Sequence, residues 1–282
     1  MALFDNTNTN TYLNETRDFF QSNSLIAKFA FLLLVIFVFI LLLRLGVSFL
    51  TWVFSYSQDP ILFNGMKSAK SMSRISTNPN SSNSIPILRS RNRTDGLEFT
   101  WSVWIFIDDP IYKQDQYKHI FSRGNDAHDN DGIMKPNNAP GLYLTPISNN
   151  QQNLLLRMNT FQEMNEDVLV EDIPINKWVN IIVRCDQQQL DIYINGVLTK
   201  RHILQGVPRQ NYDDVWVTLN GGFDGYVSEL RYFARAIGLG RIQSIVDAGP
   251  NLKMDGNDIK KALPQYLSNR WYFSGARDGY NP

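Results

Sequence analysis

Residues 25–54, LIAKFAFLLLVIFVFILLLRLGVSFLTWVF, constrain this chain more than any other segment. From Phe29 to Leu43, fifteen residues in succession are apolar. A helix advances about 1.5 Å per residue, so roughly twenty residues cross a hydrocarbon layer about 30 Å thick. A helix lying on a soluble core needs only one apolar stripe. A segment apolar on every side therefore predicts a single transmembrane helix that holds the N-terminal end of the chain in a lipid bilayer. The competing readings are a cleaved signal and a buried hairpin helix. A secretory signal has a basic start, a shorter apolar region and a small-residue cleavage site. Here the run follows a polar stretch with Asp5, Glu15 and Asp18 against Arg17, and no clean small-x-small site comes after it.

Arg44 interrupts the run. An arginine at mid-bilayer is costly, so its side chain is expected to snorkel to one headgroup layer. The span would then lie near residues 25–44, from Phe29 through Leu43, with residues 45–54 along the interface. Trp52 and Tyr56 suit that depth. The alternative is a tilted span reaching Phe54, with Arg44 facing a partner helix. Between Asp59 and Asp95 stand Lys67, Lys70, Arg74, Arg89, Arg91 and Arg93 and no acid. Positive charge is retained on the cytoplasmic side, which predicts a cytoplasmic C-terminal domain. The same stretch would also suit anionic lipid. A lone Cys185 fits a reducing compartment. The Asn-x-Ser/Thr triplets at Asn14, Asn80 and Asn92 are of the kind that an Asn- and Ser-rich chain produces by chance.

The expected organisation is a polar tail (1–24), the helix (25–54), a basic Ser/Asn-rich linker (55–94), a β-sandwich (95–250) and a C-terminal extension (251–282) packed on the sandwich or on a partner. The linker has too little apolar patterning to offset chain entropy and reads as flexible coil. As coil, its forty residues would span on the order of 35 Å. The zero net charge conceals a partition. Residues 95–282 hold 18 basic and 23 acidic residues, about −5, whereas 55–94 hold six basic residues and Asp59, about +5. An acidic domain argues against nucleic-acid binding.

Period-two alternation marks strands. LEFTWSVWIFID (97–108) puts Leu97, Phe99, Trp101, Val103, Ile105 and Ile107 on one face. Trp104 and Phe106 make the other face apolar too, which predicts a covering loop or tail. Further strands are expected at 117–124, 141–146, 153–159, 167–173, 178–186, 190–204, 215–220 and 226–234. Within 190–204, Asn195-Gly196 is a type I′ hairpin signal, since both residues accept positive φ. Many short strands without βαβ alternation predict an all-β sandwich or barrel. One helix is expected at about 239–247, ended by Gly249-Pro250, and RWYFSG (270–275) offers a last strand.

Three segments resemble the laminin-G-like, concanavalin A-like jelly-roll domains. They are FTWSVWIFID (99–108), KWVNIIVRCDQQQLDIYINGVLTKR (177–201) and GYVSELRYFARAIGLGRIQSIVDAG (225–249). The last matches the family's Gly-x-apolar-x-Glu-apolar-Arg-apolar-Tyr run and its following helix. Phe233 stands where that family has tyrosine, and Gly238 offers no capping side chain. The resemblance implies a jelly roll and leaves the ligand open, because this fold serves lectins, glycosidases, adhesion modules and capsid parts. The order of tail, helix, basic segment and jelly roll resembles membrane-anchored proteins of large double-stranded DNA viruses of eukaryotes. There it would imply a virion internal membrane and a minor capsid role.

Glycosidases of this fold carry carboxylates as Glu-x-Asp-x-x-Glu, and retaining hydrolysis needs two carboxyls about 5–5.5 Å apart. No such run occurs. Glu163, Glu166, Asp167, Glu171 and Asp172 have the wrong spacing and read as solvated loop and strand ends. His119, His128 and His202 are scattered, and Cys185 reads as a small core residue. The expectation is a non-enzymatic interaction module with a protein partner such as capsid proteins, or alternatively a glycan-binding or adhesion module. No cofactor is expected, with one calcium candidate: Asp126, Asp129 and Asp131 in RGNDAHDNDG (123–132), since calcium favours clustered loop oxygens. The plain alternative there is a solvated turn. Trp216, Tyr212 and Tyr143 lie near turns, where a sugar-binding rim would need exposed aromatics; core packing is the alternative.

Overall fold

A computed structural model describes residues 17–18, 24–54, 56–81, 83–136, 138–147 and 151–254. The chain forms two compact units, Met1–Tyr56 and Ser57–Pro282.

In the first unit, helix α1 spans Leu25–Phe54. Ser24 caps it: Ala27 N donates to Ser24 Oγ at 3.2 Å, satisfying one of the amides that a helix start leaves unpaired. Near the other end Thr51 Oγ1 donates to the Val47 carbonyl at 2.8 Å, so its hydroxyl is satisfied inside an apolar surface. Within Leu25–Val53 an 18-residue window reaches a mean hydropathy of 3.1, and the helix is long and apolar enough to cross a membrane. Phe29, Leu43, Arg44 and Trp52 are all exposed on this helix, and Trp52 lies beside Phe49 with ring centroids 6.1 Å apart.

The second unit is a sandwich of two antiparallel sheets. The larger contains β1 (Ile61–Ser68), β3 (Arg91–Arg93), β4 (Gly96–Ile107), β9 (Trp178–Gln187), β10 (Gln189–Ile194), β11 (Val197–Ile203) and β13 (Gly225–Phe233). Its order is β1-β13-β4-β9-β10-β11, with β3 also paired to β4. The smaller contains β2 (Ser73–Ile75), β5 (Lys118–Arg123), β6 (Gly141–Leu144), β7 (Leu154–Met158), β8 (Glu166–Val170) and β12 (Val215–Val217). Its order is β2-β12-β5-β6-β7-β8. The facing surfaces interdigitate around Trp101, whose ring lies 5.2 Å from Phe121 and 4.9 Å from Tyr232. Asn195 (φ 50°) and Gly196 (φ 82°) form the β10–β11 turn with the two positive φ angles that the Asn-Gly pair predicts.

Both outer faces are covered. Helix α2 (Leu239–Ala248) lays Ile242 and Ile245 on Ile182, Tyr193 and Phe233 of the larger sheet. On the smaller sheet, Ile133 and Met134 close over Tyr143, Leu155 and Trp216. Trp104 is buried, and Phe106 stacks between Trp178 (5.7 Å) and Tyr226 (6.4 Å).

The coil expected over 55–94 is corrected. Strands β1, β2 and β3 all lie in it, and only residues 55–60 separate α1 from β1. Leu62, Phe63, Ala69 and Ile75 are buried in the main core. The segment escapes an apolar-period test because β1 is bulged: its register shifts twice along β13, Gly65 sits at φ 137°, and adjacent Leu62 and Phe63 both point inward. Elsewhere it is held through its backbone, as where Tyr232 N donates to the Pro60 carbonyl (3.1 Å) and Ala234 N to the Gln58 carbonyl (3.0 Å). Arg235 then grips Asp59 bidentately, at 2.8 and 2.6 Å. The segment's basic residues are also partly neutralised. Lys70 pairs with Asp224 at 2.8 Å, Arg74 with Asp214 at 2.6 Å, and Arg93 with Glu98.

Residues 251–254 run beside β1, with Met66 N donating to the Lys253 carbonyl at 2.7 Å. RWYFSG (270–275) and nearly all of the N-terminal tail lie outside the described residues.

Candidate functional site

The aspartates proposed for calcium lie on the strap that covers the smaller sheet. Asp129 accepts from Asn130 N at 2.8 Å and pairs with Lys135 at 2.5 Å. These bonds, Lys135 first, hold its carboxyl below the usual range. The Asp131 carbonyl accepts from Tyr117 N (3.0 Å) and Lys135 N donates to the Ala127 carbonyl (2.9 Å). The strap is thus tied down by its backbone, and its apolar residues, Ile133 and Met134, face the sheet. Among the described residues no three His, Cys, Asp or Glu side chains are grouped as a metal would require, so Asp126, Asp129 and Asp131 are not brought together.

The aromatic candidates separate cleanly. Tyr143 is fully buried, which corrects its placement at a rim. Its hydroxyl donates to Asn138 Oδ1 and accepts from Met134 N at 3.2 Å, and burial pushes its pKa up. Trp216 is buried as well: its Nε1 donates to the Gly124 carbonyl at 2.9 Å, and the Arg74 guanidinium lies 5.3 Å from its ring centroid. Tyr212 alone of the three is open to solvent, at 62% exposure.

Tyr212 belongs to the connection between β11 and β12, which frames a site that pattern reading missed. Arg123 ends β5, two residues beyond Phe121, and is only 3% exposed. Its Nε has one hydrogen bond, at 3.4 Å to the Asp213 carbonyl, and among the described residues no carboxylate pairs with it. Burial pulls its pKa down, partly opposed by Tyr232, Tyr212 and Asp213. Arg123 lines a cavity of about 10 Å³ together with Ser90, Trp101, Arg209, Gln210 and Tyr232. That is room for about one water-sized group. Gln210 Nε2 is buried there without a hydrogen-bond partner. The Tyr232 hydroxyl makes no close hydrogen bond but lies near Arg123 and the Ser90 side chain, which oppose the upward push of burial on its pKa. Ser90 Oγ bonds Gln210 Oε1 at 3.1 Å. At the rim Arg209 lies over the ring of Phe161, 5.0 Å from its centroid, and Phe161 is 68% exposed. The rim is stitched by Phe161 N to the Val207 carbonyl (3.0 Å) and Arg209 N to the Asn159 carbonyl (2.8 Å). The sequence signal was faint: an arginine two places after an inward Phe on a strand.

Other buried charges are internally matched. Asp191 is fully buried. Burial alone raises its pKa, but Arg201 (2.7 Å) and Gln189 (3.0 Å), with Arg184 nearby, hold it below the usual range. Glu166 accepts from Gln205 N (3.0 Å) and from His202 Nε2 (2.7 Å), joining β8 to the end of β11. His119 Nδ1 accepts from Leu219 N at 3.1 Å, and burial lowers the pKa of this histidine to about 3. Cys185 is a buried core residue whose thiol pKa is pushed up by burial.

Two facing antiparallel sheets with a covering helix after the last strand define a lectin-like jelly roll. A family model of the concanavalin A-like lectin/glucanases superfamily, of laminin-G type, matches residues 79–243, and the chain belongs to that family. Among solved structures, the botulinum neurotoxin serotype G binding domain is 16% identical (TM-score 0.43), covering 65% of this chain and 46% of that one. The serotype D ligand-binding domain in complex with N-acetylneuraminic acid is 12% identical (TM-score 0.46), covering 68% and 46%. The receptor-binding domain of neurotoxin D is 12% identical (TM-score 0.45), covering 68% and 52%. This chain thus spans about half or less of those structures. No curated protein matches it.

Proposed function

We propose that this chain is a non-enzymatic, single-pass membrane protein whose jelly roll is an interaction module, a minor structural component joining a membrane to an overlying protein layer such as a virion capsid. The observation that carries this reading is α1, thirty residues long and exposed along nearly its whole apolar length. Such a surface must be covered, and lipid covers one that is apolar on every side. Residues 55–60 tether the sandwich, a reach of about 20 Å at full extension. Lys67, Lys70 and Arg74 follow the helix closely enough to favour a cytoplasmic sandwich. The pairing of Lys70 and Arg74 with acids in the folded unit does not oppose this, since topology is set before the domain folds. The absence of catalysis is supported by where the most perturbed groups sit: His119, Tyr143 and Cys185 are shifted by burial in packed interior, not in a cleft.

A second reading, a tethered carbohydrate-binding or adhesion module, is favoured by exposed Phe161 and Tyr212 on the segments framing the Arg123 cavity. Protease treatment of sealed membranes separates the two. The first reading expects residues 57–282 to be cut from the cytoplasmic side and Asn80 and Asn92 to carry no glycan. Protection from that side, with glycosylated Asn80 or Asn92, would overturn it in favour of the second.

A further inference from the structure

We propose that the cavity at Arg123 receives the carboxylate end of a ligand, one oxygen entering beside the guanidinium while the remainder lies on the rim formed by Arg209, Phe161 and Tyr212. This deepens the reading of the sandwich as an interaction module by naming the group it recognises. Its failure would leave the tests of anchor and topology untouched.

The charged groups lining the cavity, and the unpartnered nitrogen beside them, are donors. Arg123 has spare N–H groups and no carboxylate partner among the described residues. Gln210 Nε2 has no partner, and the Tyr232 hydroxyl, near Ser90, makes no close hydrogen bond. Ser90 Oγ is already engaged with Gln210 Oε1. Burying a cation held by one long hydrogen bond beside donors with unused capacity is unfavourable, and a single anionic oxygen relieves it. Room for about one water-sized group fits one carboxylate oxygen better than a whole phosphate. The neighbouring arginine, Arg209, adds positive potential at the mouth and is itself held by Phe161. Elsewhere in the fold buried charges are matched from within, as Asp191 is by Arg184 and Arg201. Lys118, 1% exposed, also lacks a carboxylate among the described residues, but it donates to the Pro110 carbonyl at 2.6 Å and Gln152 Oε1 at 3.1 Å, whereas Arg123 has one long hydrogen bond and borders a cavity.

The test uses the full chain in detergent micelles, with acetate, D-glucuronate, D-glucose and chloride as probes at matched ionic strength. At about 50 mM, acetate and glucuronate are expected to raise the thermal midpoint by about 2–4 °C over chloride, and glucose is not. Glucuronate acting at lower concentration than acetate assigns ligand contact to the rim; equal potency assigns binding to the bare carboxylate alone. Tyr232→Phe removes a hydroxyl that makes no close hydrogen bond, so the ligand-free midpoint should change by less than about 2 °C while carboxylate affinity falls about tenfold. Gln210→Glu supplies an internal carboxylate, so the ligand-free midpoint should rise and the response to acetate should vanish. The proposal is overturned if neither carboxylate shifts the wild-type midpoint, or if both variants respond like the wild type.

Discussion

Replacing Phe63 by alanine decides whether the segment after the membrane helix is a leash or part of the domain. Phe63 lies in the stretch whose composition reads as coil, yet it is 5% exposed and packs in the main core with Leu62 and Leu230. Lys67 Nζ sits 4.7 Å from its ring centroid. Truncating a buried phenylalanine costs about 3–5 kcal/mol through lost transfer energy and the cavity left behind. The lost cation–π contact, about 0.5–1 kcal/mol at such a site, is within that range. Guanidinium unfolding of residues 57–282, followed by tryptophan fluorescence, has a slope of about 4 kcal/mol/M. The midpoint should therefore fall by roughly 1 M. Met72→Ala is the control, because Met72 is 58% exposed in the same segment and should move stability by less than about 0.5 kcal/mol. Equal, small shifts for both variants would refute the placement of β1 in the core.

Three further outcomes follow from the packing. His119 carries a pKa of about 3 in the folded chain against about 6.5 unfolded, so between those values only the unfolded chain binds its proton. Stability is therefore lost as pH falls below 6.5, by about 2 kcal/mol at pH 5, and His119→Gln should flatten this dependence in denaturation curves at pH 7.5 and 5. Ile242→Ala strips one of the two buried side chains that dock α2 and should cost about 2–4 kcal/mol, read as a lower thermal midpoint. Asp191→Ala leaves Arg184 facing a buried gap and should cost about 3 kcal/mol, whereas Asp186→Ala, on the exposed side of the same arginine, should cost under about 1 kcal/mol.

What was legible in the sequence was whatever repeats with a period. β4, β9, β10, β13 and α2 lie where alternation, Asn195-Gly196 and Gly249 place them, because each buries one regular face. β1 and β2 were illegible because they are held by edge hydrogen bonds, a bulge at Gly65 and the Arg235–Asp59 pair, none of which leaves an apolar rhythm. The membrane helix was plain from composition alone. The site was not. Asp126, Asp129 and Asp131 stand out as letters, and they lie on the strap whose Ile133 and Met134 pack on the sheet. Arg123, Gln210 and Tyr232 lie far apart in the chain and converge only when β5, the β11–β12 connection and β13 meet at Trp101. Tyr143 and Trp216 looked like rim residues because they are near turns; strand polarity and the overlying strap bury both.

The same folding changes how the chain should hold to lipid. Six basic residues in 55–94 look like an electrostatic patch, but three of them, Lys70, Arg74 and Arg93, are paired with Asp224, Asp214 and Glu98 in the folded unit. Basic residues near an anionic surface contribute about 1 kcal/mol each, and salt screens that attraction within about 8 Å at physiological ionic strength. Burying the apolar side chains of α1 is worth about 1.5–3 kcal/mol apiece, a total larger by an order of magnitude. Attachment should therefore be hydrophobic and indifferent to salt. Full-length chain in vesicles containing anionic lipid should stay in the pellet in roughly 1 M sodium chloride and in alkaline carbonate, conditions that abolish screened surface attraction. Residues 57–282 alone should remain mostly in the supernatant with the same vesicles at about 0.15 M salt. Release of the full chain by salt alone would mean that α1 is not in the bilayer, and that the exposed apolar length of this helix is covered by protein instead.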